Sequence, residues 1–443
     1  MDFSPSSLSV DHEFQKLVNR MYPPRVTIDN ESCKIVTLIE VDSANKSGSL
    51  LKVVQVLNDM NLIIRKAYIS SDGRWFMDVF YVTDECGNKV YDEEIADRIR
   101  QSLKEQYSFE PMESAAENTS IELLGRDRPG LLSEVFAVLT DLKCNVVSAE
   151  AWTHNSRMAS IVYFTDKAKG SPITDPCRIS NIKQLLLSVL KGNREWPSAT
   201  TAVSVGSTHT QRRLHQIMYA DRDYEDHQNN ATTQRVTPLV TVEDCMEKGY
   251  TVVKMSSPDR PQLLFDTVCT ITDMGYVIFH GTIVAEGLQA EQEYYIRHAD
   301  GSPISSEAER RRIVCCLEAA IKRRASQGVR LELCSDDRVG LLSDVTRIFR
   351  ENGLNVTQAE VKTRGTKVFS VFYVADASGY PIKSETIEAI RKEIGLTILH
   401  VKDDSCSTAS LLQQMSQFSL GSLIRSRSDK FLYSLGLTKT CTI

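Results

Sequence analysis

The sequence predicts an α+β fold in which one small unit is written four times, and two observations carry this. The stretch Asp127-Arg128-Pro129-Gly130-Leu131-Leu132 returns as Asp259-Arg260-Pro261-Gln262-Leu263-Leu264 and as Asp337-Arg338-Val339-Gly340-Leu341-Leu342. A looser copy is Asn45-Lys46-Ser47-Gly48-Ser49-Leu50. An Asp that closes an apolar run then falls at Asp84, Asp166 and Asp376, each 36 residues after Gly48, Gly130 and Gly340. Asp300 lies 38 residues after Gln262, which predicts two extra residues in a hairpin of the third copy.

The second copy is the clearest. Thr119 to Gly125 reads as a strand, Gly130 to Leu142 as a helix, and Asn145 to Thr153 with Arg157 to Thr165 as a hairpin. Pro176 to Lys191 is a second helix and Thr200 to Val205 a closing strand, which completes βαββαβ, the order of a ferredoxin-like sandwich. In the first copy, Lys34 to Val41, Leu62 to Ser70 and Arg74 to Val82 are strand-like; Leu50 to Met60 and Asp92 to Lys104 are helical. A fourth strand is needed to complete it. A unit of this size has a marginal core, so copies are expected to pair and cover exposed strand edges.

Gly48 to Gly130 spans 82 residues and Gln262 to Gly340 spans 78, but Gly130 to Gln262 spans 132. The excess marks an inserted linker, in which Leu214, Ile217 and Met218 share a helical face, followed by the charged Asp221-Arg222-Asp223-Tyr224-Glu225. The spacing suggests two tandem pairs. The expected divisions are repeat one at 26–112, repeat two at 113–206, linker at 207–247, repeat three at 248–326, repeat four at 327–404 and a Ser-rich tail at 405–443. Val329 to Cys334 could close repeat three or open repeat four; assigned to repeat four, it leaves repeat three one strand short.

Composition narrows the function. Fifty-two basic residues against 58 acidic give a net charge of −6, which argues against a nucleic-acid binder. Eleven cysteines without a Cys-x-x-Cys pair read as reduced thiols, and no signal peptide or membrane-length apolar run is evident. The expected location is therefore cytoplasmic or nuclear. The basic cluster Arg425-Ser426-Arg427-Ser428 in the tail reads as a solvated terminus, and Cys441 is misplaced for prenylation. The scattered histidines give no metal-ligand spacing, and phosphate-loop, nucleophile-elbow and Rossmann motifs are absent, so neither cofactor nor enzyme is expected. The strands Ser160 to Phe164 and Phe369 to Tyr373 carry aromatics but lack the basic, Gly-containing lead-in of RNA-recognition modules.

The repeated turn has a structural account: Asp127 as a helix-start acceptor, Pro129 in the first turn and Gly130 at a tight bend. The same features also suit a ligand anion at a helix start. With an Asn 15 residues after Gly130 and after Gly340, at Asn145 and Asn355, the pattern resembles the ACT domain, the βαββαβ module that binds amino acids. Four such repeats, no catalytic domain, and a linker running from His209-Thr210-Gln211-Arg212-Arg213 to Asp223-Tyr224-Glu225 resemble the plant ACT-domain repeat (ACR) family. The resemblance implies amino-acid-binding residues Asp127, Gly130, Leu131 and Asn145 in repeat two, with Asp337, Gly340, Leu341 and Asn355 in repeat four. Repeats one and three depart from the pattern, with Ile63 and Val277 at the Asn place and Gln262 at the glycine.

The expectation is a non-enzymatic regulatory protein that senses a free amino acid and is read by a metabolic enzyme or a regulatory protein, with a homodimer also open. The alternative is a protein-interaction scaffold with vestigial ligand sites.

Overall fold

The computed structural model describes residues 23–46, 48–72, 74–92, 94–104, 118–192, 199–204, 209–225, 239–245, 249–325, 328–378, 380–395 and 399–402. The expected Ser-rich tail at 405–443 lies outside them.

Repeat one comprises β1 (Arg25–Asp29), β2 (Thr37–Ala44), α1 (Ser49–Asp59), β3 (Ile63–Ser70), β4 (Trp75–Thr83) and α2 (Glu94–Lys104). Repeat two runs β5 (Thr119–Arg126), α3 (Leu131–Asp141), β6 (Cys144–His154), β7 (Arg157–Asp166), α4 (Pro176–Lys191) and β8 (Thr200–Ser204). A linker helix, α5 (Thr210–Ala220), follows. Repeat three has β9 (Leu239–Cys245), β10 (Tyr250–Pro258), α6 (Leu263–Asp273), β11 (Tyr276–Glu286), β12 (Gln289–His298) and α7 (Glu307–Arg323). Repeat four has β13 (Val329–Asp336), α8 (Leu341–Glu351), β14 (Leu354–Arg364), β15 (Lys367–Asp376), α9 (Ser384–Ile394) and β16 (Leu399–Lys402).

All four repeats are ferredoxin-like sandwiches, but they obtain the fourth strand differently. Repeats two and four close with β8 and β16, which pair with β5 and β13. Repeats one and three take theirs from upstream: β1 pairs with β2, and β9 with β10. Repeat three is therefore complete, and the strand that completes it lies within the residues 207–247 assigned to the linker from sequence.

The repeats form two pairs, and the partners are not neighbours in sequence. One eight-stranded antiparallel sheet runs β1-β2-β4-β3-β11-β12-β10-β9 and joins repeat one to repeat three; the other runs β16-β13-β15-β14-β6-β7-β5-β8 and joins two to four. The tandem pairing expected from spacing is corrected. An inserted segment marks where the chain leaves the repeat, whereas pairing depends on which strand edges meet. Those edges are β3 with β11 and β6 with β14, registered on Tyr68↔Thr282 and Glu150↔Glu360 at their centres.

The third copy also keeps the common spacing. Its β12 ends at His298, 36 residues after Gln262, and Asp300 belongs to the following turn, so the hairpin contains no insertion.

Helices cover one face of each sheet and form its core. The linker helix covers the opposite face of the 2/4 sheet, where Leu214 and Met218 are fully buried against Leu124, Trp152, Ala159 and Ile161, with Ile217 at the margin. Its other side meets α6, and the C-terminal end of α7 reaches β6. The two paired sheets thus stack through α5.

Candidate ligand clefts at the repeat interfaces

The repeated motif forms the same turn each time. The amide of Leu131 donates to the carbonyl of Arg128, Leu263 to Arg260, Leu341 to Arg338 and Ser49 to Lys46. The third residue of each turn is left-handed: Gly48 at φ 79°, Gly130 at 82°, Gln262 at 66° and Gly340 at 86°. Such a turn favours Pro before it and Gly at it, which is what Pro129-Gly130 supplies. No side chain caps α3 or α8, so Asp127 does not serve as a helix-start acceptor, and Pro129 precedes the helix.

Released from that role, Asp127 faces the partner repeat. Asn355 at the start of β14 donates from Nδ2 to Asp127 Oδ2 at 3.3 Å. Burial pushes the Asp127 carboxyl up to about 6, against the opposing hydrogen bonds from Asn355 and the Arg128 amide. Asp127, Gly130, Leu131 and Asn355 line one cleft together with Ser133, Thr153, Met158, Thr357 and Gln358. The remaining candidates, Asn145, Asp337, Gly340 and Leu341, lie at the related end of the interface, where a side chain at Gly340 would stand 3.5 Å from Thr140 on α3. Asn145 and Asp337 make no matching hydrogen bond to each other among the described residues. The Asp and Asn of the motif are thus brought together across the pair, not within one repeat.

Gly130 is needed twice over. Besides its left-handed backbone, a Cβ there would fall 2.4 Å from Cδ of Arg350 at the end of α8.

The motif arginines turn inward. Arg128 bonds Glu134 at 2.7 Å and the carbonyl of Val189, tying the turn to α4, and Arg260 likewise reaches Asp266 at 2.7 Å and the carbonyl of Ile321.

An equivalent cleft lies between repeats one and three, lined by Asp259, Gln262, Leu263, Ile63, Asn58 and Gln292 among others. Burial raises the Asp259 carboxyl, opposed by Arg65. The cavities measure about 10 Å³ in the 2/4 cleft and about 30 Å³ in the 1/3 cleft. The smaller is about what one water occupies.

Comparison with known proteins places this geometry. Residues 32–110 match the ACR family N-terminal ACT domain, and residues 119–173 and 329–394 match the ACT domain. ACT domain-containing protein ACR4 of Arabidopsis thaliana is 55% identical over 437 residues, covering 95% of this chain and 97% of its own. The chain belongs to the ACR family of ACT-domain proteins. ACT domain-containing protein ACR5 of the same plant is 54% identical, with 95% and 96% covered, and ACT domain-containing protein ACR8 is 49% identical, with 97% and 98% covered.

In this ACR-family chain the sequence reading missed a buried polar network around α5. His215 Nε2 donates to Asp266 Oδ1 at 2.9 Å, while Arg323 bonds His215 Nδ1 at 2.9 Å and holds both oxygens of Asp223. Arg324 reaches Asp266 at 3.0 Å and lies over the Trp152 ring. His154 and Asn155 of the β6–β7 hairpin bind Asp223 from the 2/4 sheet. The signal available in sequence was the charge-rich Asp221 to Glu225 next to an apolar helical face. Such runs usually lie in water.

No described helix is long and apolar enough to cross a membrane.

Proposed function

We propose that this protein is a non-enzymatic regulator that binds a free amino acid in the cleft between repeats two and four. The supporting observation is the meeting of Asp127 and Asn355 beside the start of α3. The ligand ammonium pairs with the Asp127 carboxylate and the Asn355 amide oxygen. Its carboxylate takes the amides of Leu132 and Ser133, which helix geometry leaves without an intrahelical acceptor. Because the cleft is far smaller than an amino acid, binding requires repeats two and four to part. A ligand that binds only the parted arrangement shifts the population toward it, and a metabolic enzyme or regulatory protein reads the difference.

The test is calorimetric titration of the full chain with each of the twenty amino acids. One or two should bind. Asn355→Leu should weaken that binding about tenfold or more, the worth of a hydrogen bond to a charged group. Affinity should fall as pH drops below about 6, where Asp127 takes up its proton. If none binds, or if Asn355→Leu leaves affinity unchanged, the assignment fails. The small closed cleft then favours the scaffold reading, in which the repeats only present surfaces to a partner.

A further inference from the structure

The 1/3 cleft contains two amide side chains that the protein uses by half. Gln292 on β12 is only 2% exposed. Its Oε1 accepts from Thr267 at 2.9 Å and from Tyr294 at 2.7 Å, which fixes the amide, and its Nε2 has no protein partner. Asn58 at the end of α1 is 6% exposed. Its Nδ2 donates to Gln211 of the linker helix at 2.8 Å, and its Oδ1 has no protein partner. A buried polar group left unpaired costs roughly 1–3 kcal/mol. Here one donor and one acceptor, from different repeats, line the same cavity.

We propose that the 1/3 cleft is a second ligand site, selective for an amino acid with a branched apolar side chain, in which Asn58 Oδ1 accepts from the ligand ammonium and Gln292 Nε2 donates to its carboxylate. The inference deepens the amino-acid reading of the 2/4 cleft and rests on it for the zwitterionic head of the ligand. The side-chain class comes from the walls. Val54, Leu62, Ile63, Ile64 and Ile283 surround the 1/3 cavity, whereas Thr153, Asn355, Thr357 and Gln358 line the 2/4 cavity. Ile63 occupies the place that Asn355 holds in the other pair, so recognition of the head group passes from the strand to Asn58 on the helix. The buried carboxylate of Asp259 supplies the negative charge that an ammonium requires. Asn58 also holds Gln211, so occupancy is sensed directly by α5.

The full chain is titrated with leucine, isoleucine and valine, and with serine, threonine and glutamine as polar controls, in the wild type and in Gln292→Met, Ile63→Asn and Asn355→Leu. An apolar amino acid should bind, retain its affinity in Asn355→Leu and lose about tenfold in Gln292→Met. Ile63→Asn leaves both recognition amides in place and should shift preference toward the polar controls, which tests the site even if Gln292→Met does not fold. The proposal is overturned if no apolar amino acid binds, if its binding is abolished by Asn355→Leu, or if neither Gln292→Met nor Ile63→Asn alters it. Failure of the 2/4 reading is separate: it appears as polar amino acids that bind nowhere while the apolar ones still respond to Gln292→Met.

Discussion

Glu150 of β6 stands directly opposite Glu360 of β14, on the axis that relates repeats two and four. Like charges facing each other across strands are destabilising, and this pair lies where the two repeats join. Burial raises the Glu150 carboxyl, Arg324 opposes the rise and Glu360 adds to it. A raised carboxyl means that the folded state holds its proton more readily than the unfolded chain, so the cost of the charge is felt at neutral pH and vanishes in acid. Glu150→Gln keeps an oxygen for the Trp152 indole N–H. It should stabilise the protein by roughly 0.2–1 kcal/mol at pH 8, fading below the ordinary carboxylate range. Urea midpoints at pH 8 and pH 4 measure this. A less stable variant at pH 8 would mean that attraction from Arg324 outweighs the facing charge.

The same motif salt bridge is built twice in opposite surroundings. Arg260 meets Asp266 with the acid fully buried, and Arg338 meets Asp344 with both groups largely exposed. Burial alone would raise the Asp266 carboxyl, but the Arg324 and Arg260 guanidiniums overcome it and hold the acid well below the usual range. Removing that carboxylate leaves two buried cations and His215 without their partner. Asp266→Ala should therefore cost about 3–5 kcal/mol, and Asp344→Ala at most about 1 kcal/mol. Because the folded value is depressed, the contribution of Asp266 is fully present above the ordinary aspartate range and is lost only as pH falls toward the folded value. Thermal unfolding of the two variants side by side decides the matter. Equal losses would sink the claim that the network couples α5 to repeat three.

The repeat itself was legible because its turn is forced by backbone geometry: a left-handed residue after Arg128 or Arg338 selects glycine, and the apolar spacing behind it selects a helix. The strands Arg25–Asp29 and Leu239–Cys245 were not legible as parts of repeats, since they precede the motif and a short strand has little pattern of its own. Asp127 and Asn355 were both singled out, but their meeting was not, because hydrogen bonding between residues 228 apart depends on which sheet edges join. Asp223 was read as part of a solvated charged run and is instead buried, because Arg323 lies beside it after 100 intervening positions. Charge pattern predicts solvent only where no distant partner is folded against it.

Asp78 offers a test of the repeat-one core. It shares a face of β4 with Phe76 and Phe80, all three buried. Its Oδ1 accepts from the Ser70 amide at 3.3 Å, and its Oδ2 has no protein partner. Burial pushes its carboxyl up to about 8, against the pull of the Ser70 amide, so it is protonated at neutral pH. The folded state then binds one more proton than the unfolded chain between the ordinary aspartate value and about 8. Stability should fall across that window as pH rises, by up to about 1.4 kcal/mol per pH unit. Above pH 8 the loss is complete and the slope disappears. Asp78→Asn cannot ionise, so the stability difference between variant and wild type should grow in the variant's favour from pH 5 to pH 8 and then level off. Urea unfolding at intervals of one pH unit measures that difference directly, and a difference that stays constant across the range would show that Asp78 does not change its protonation on folding.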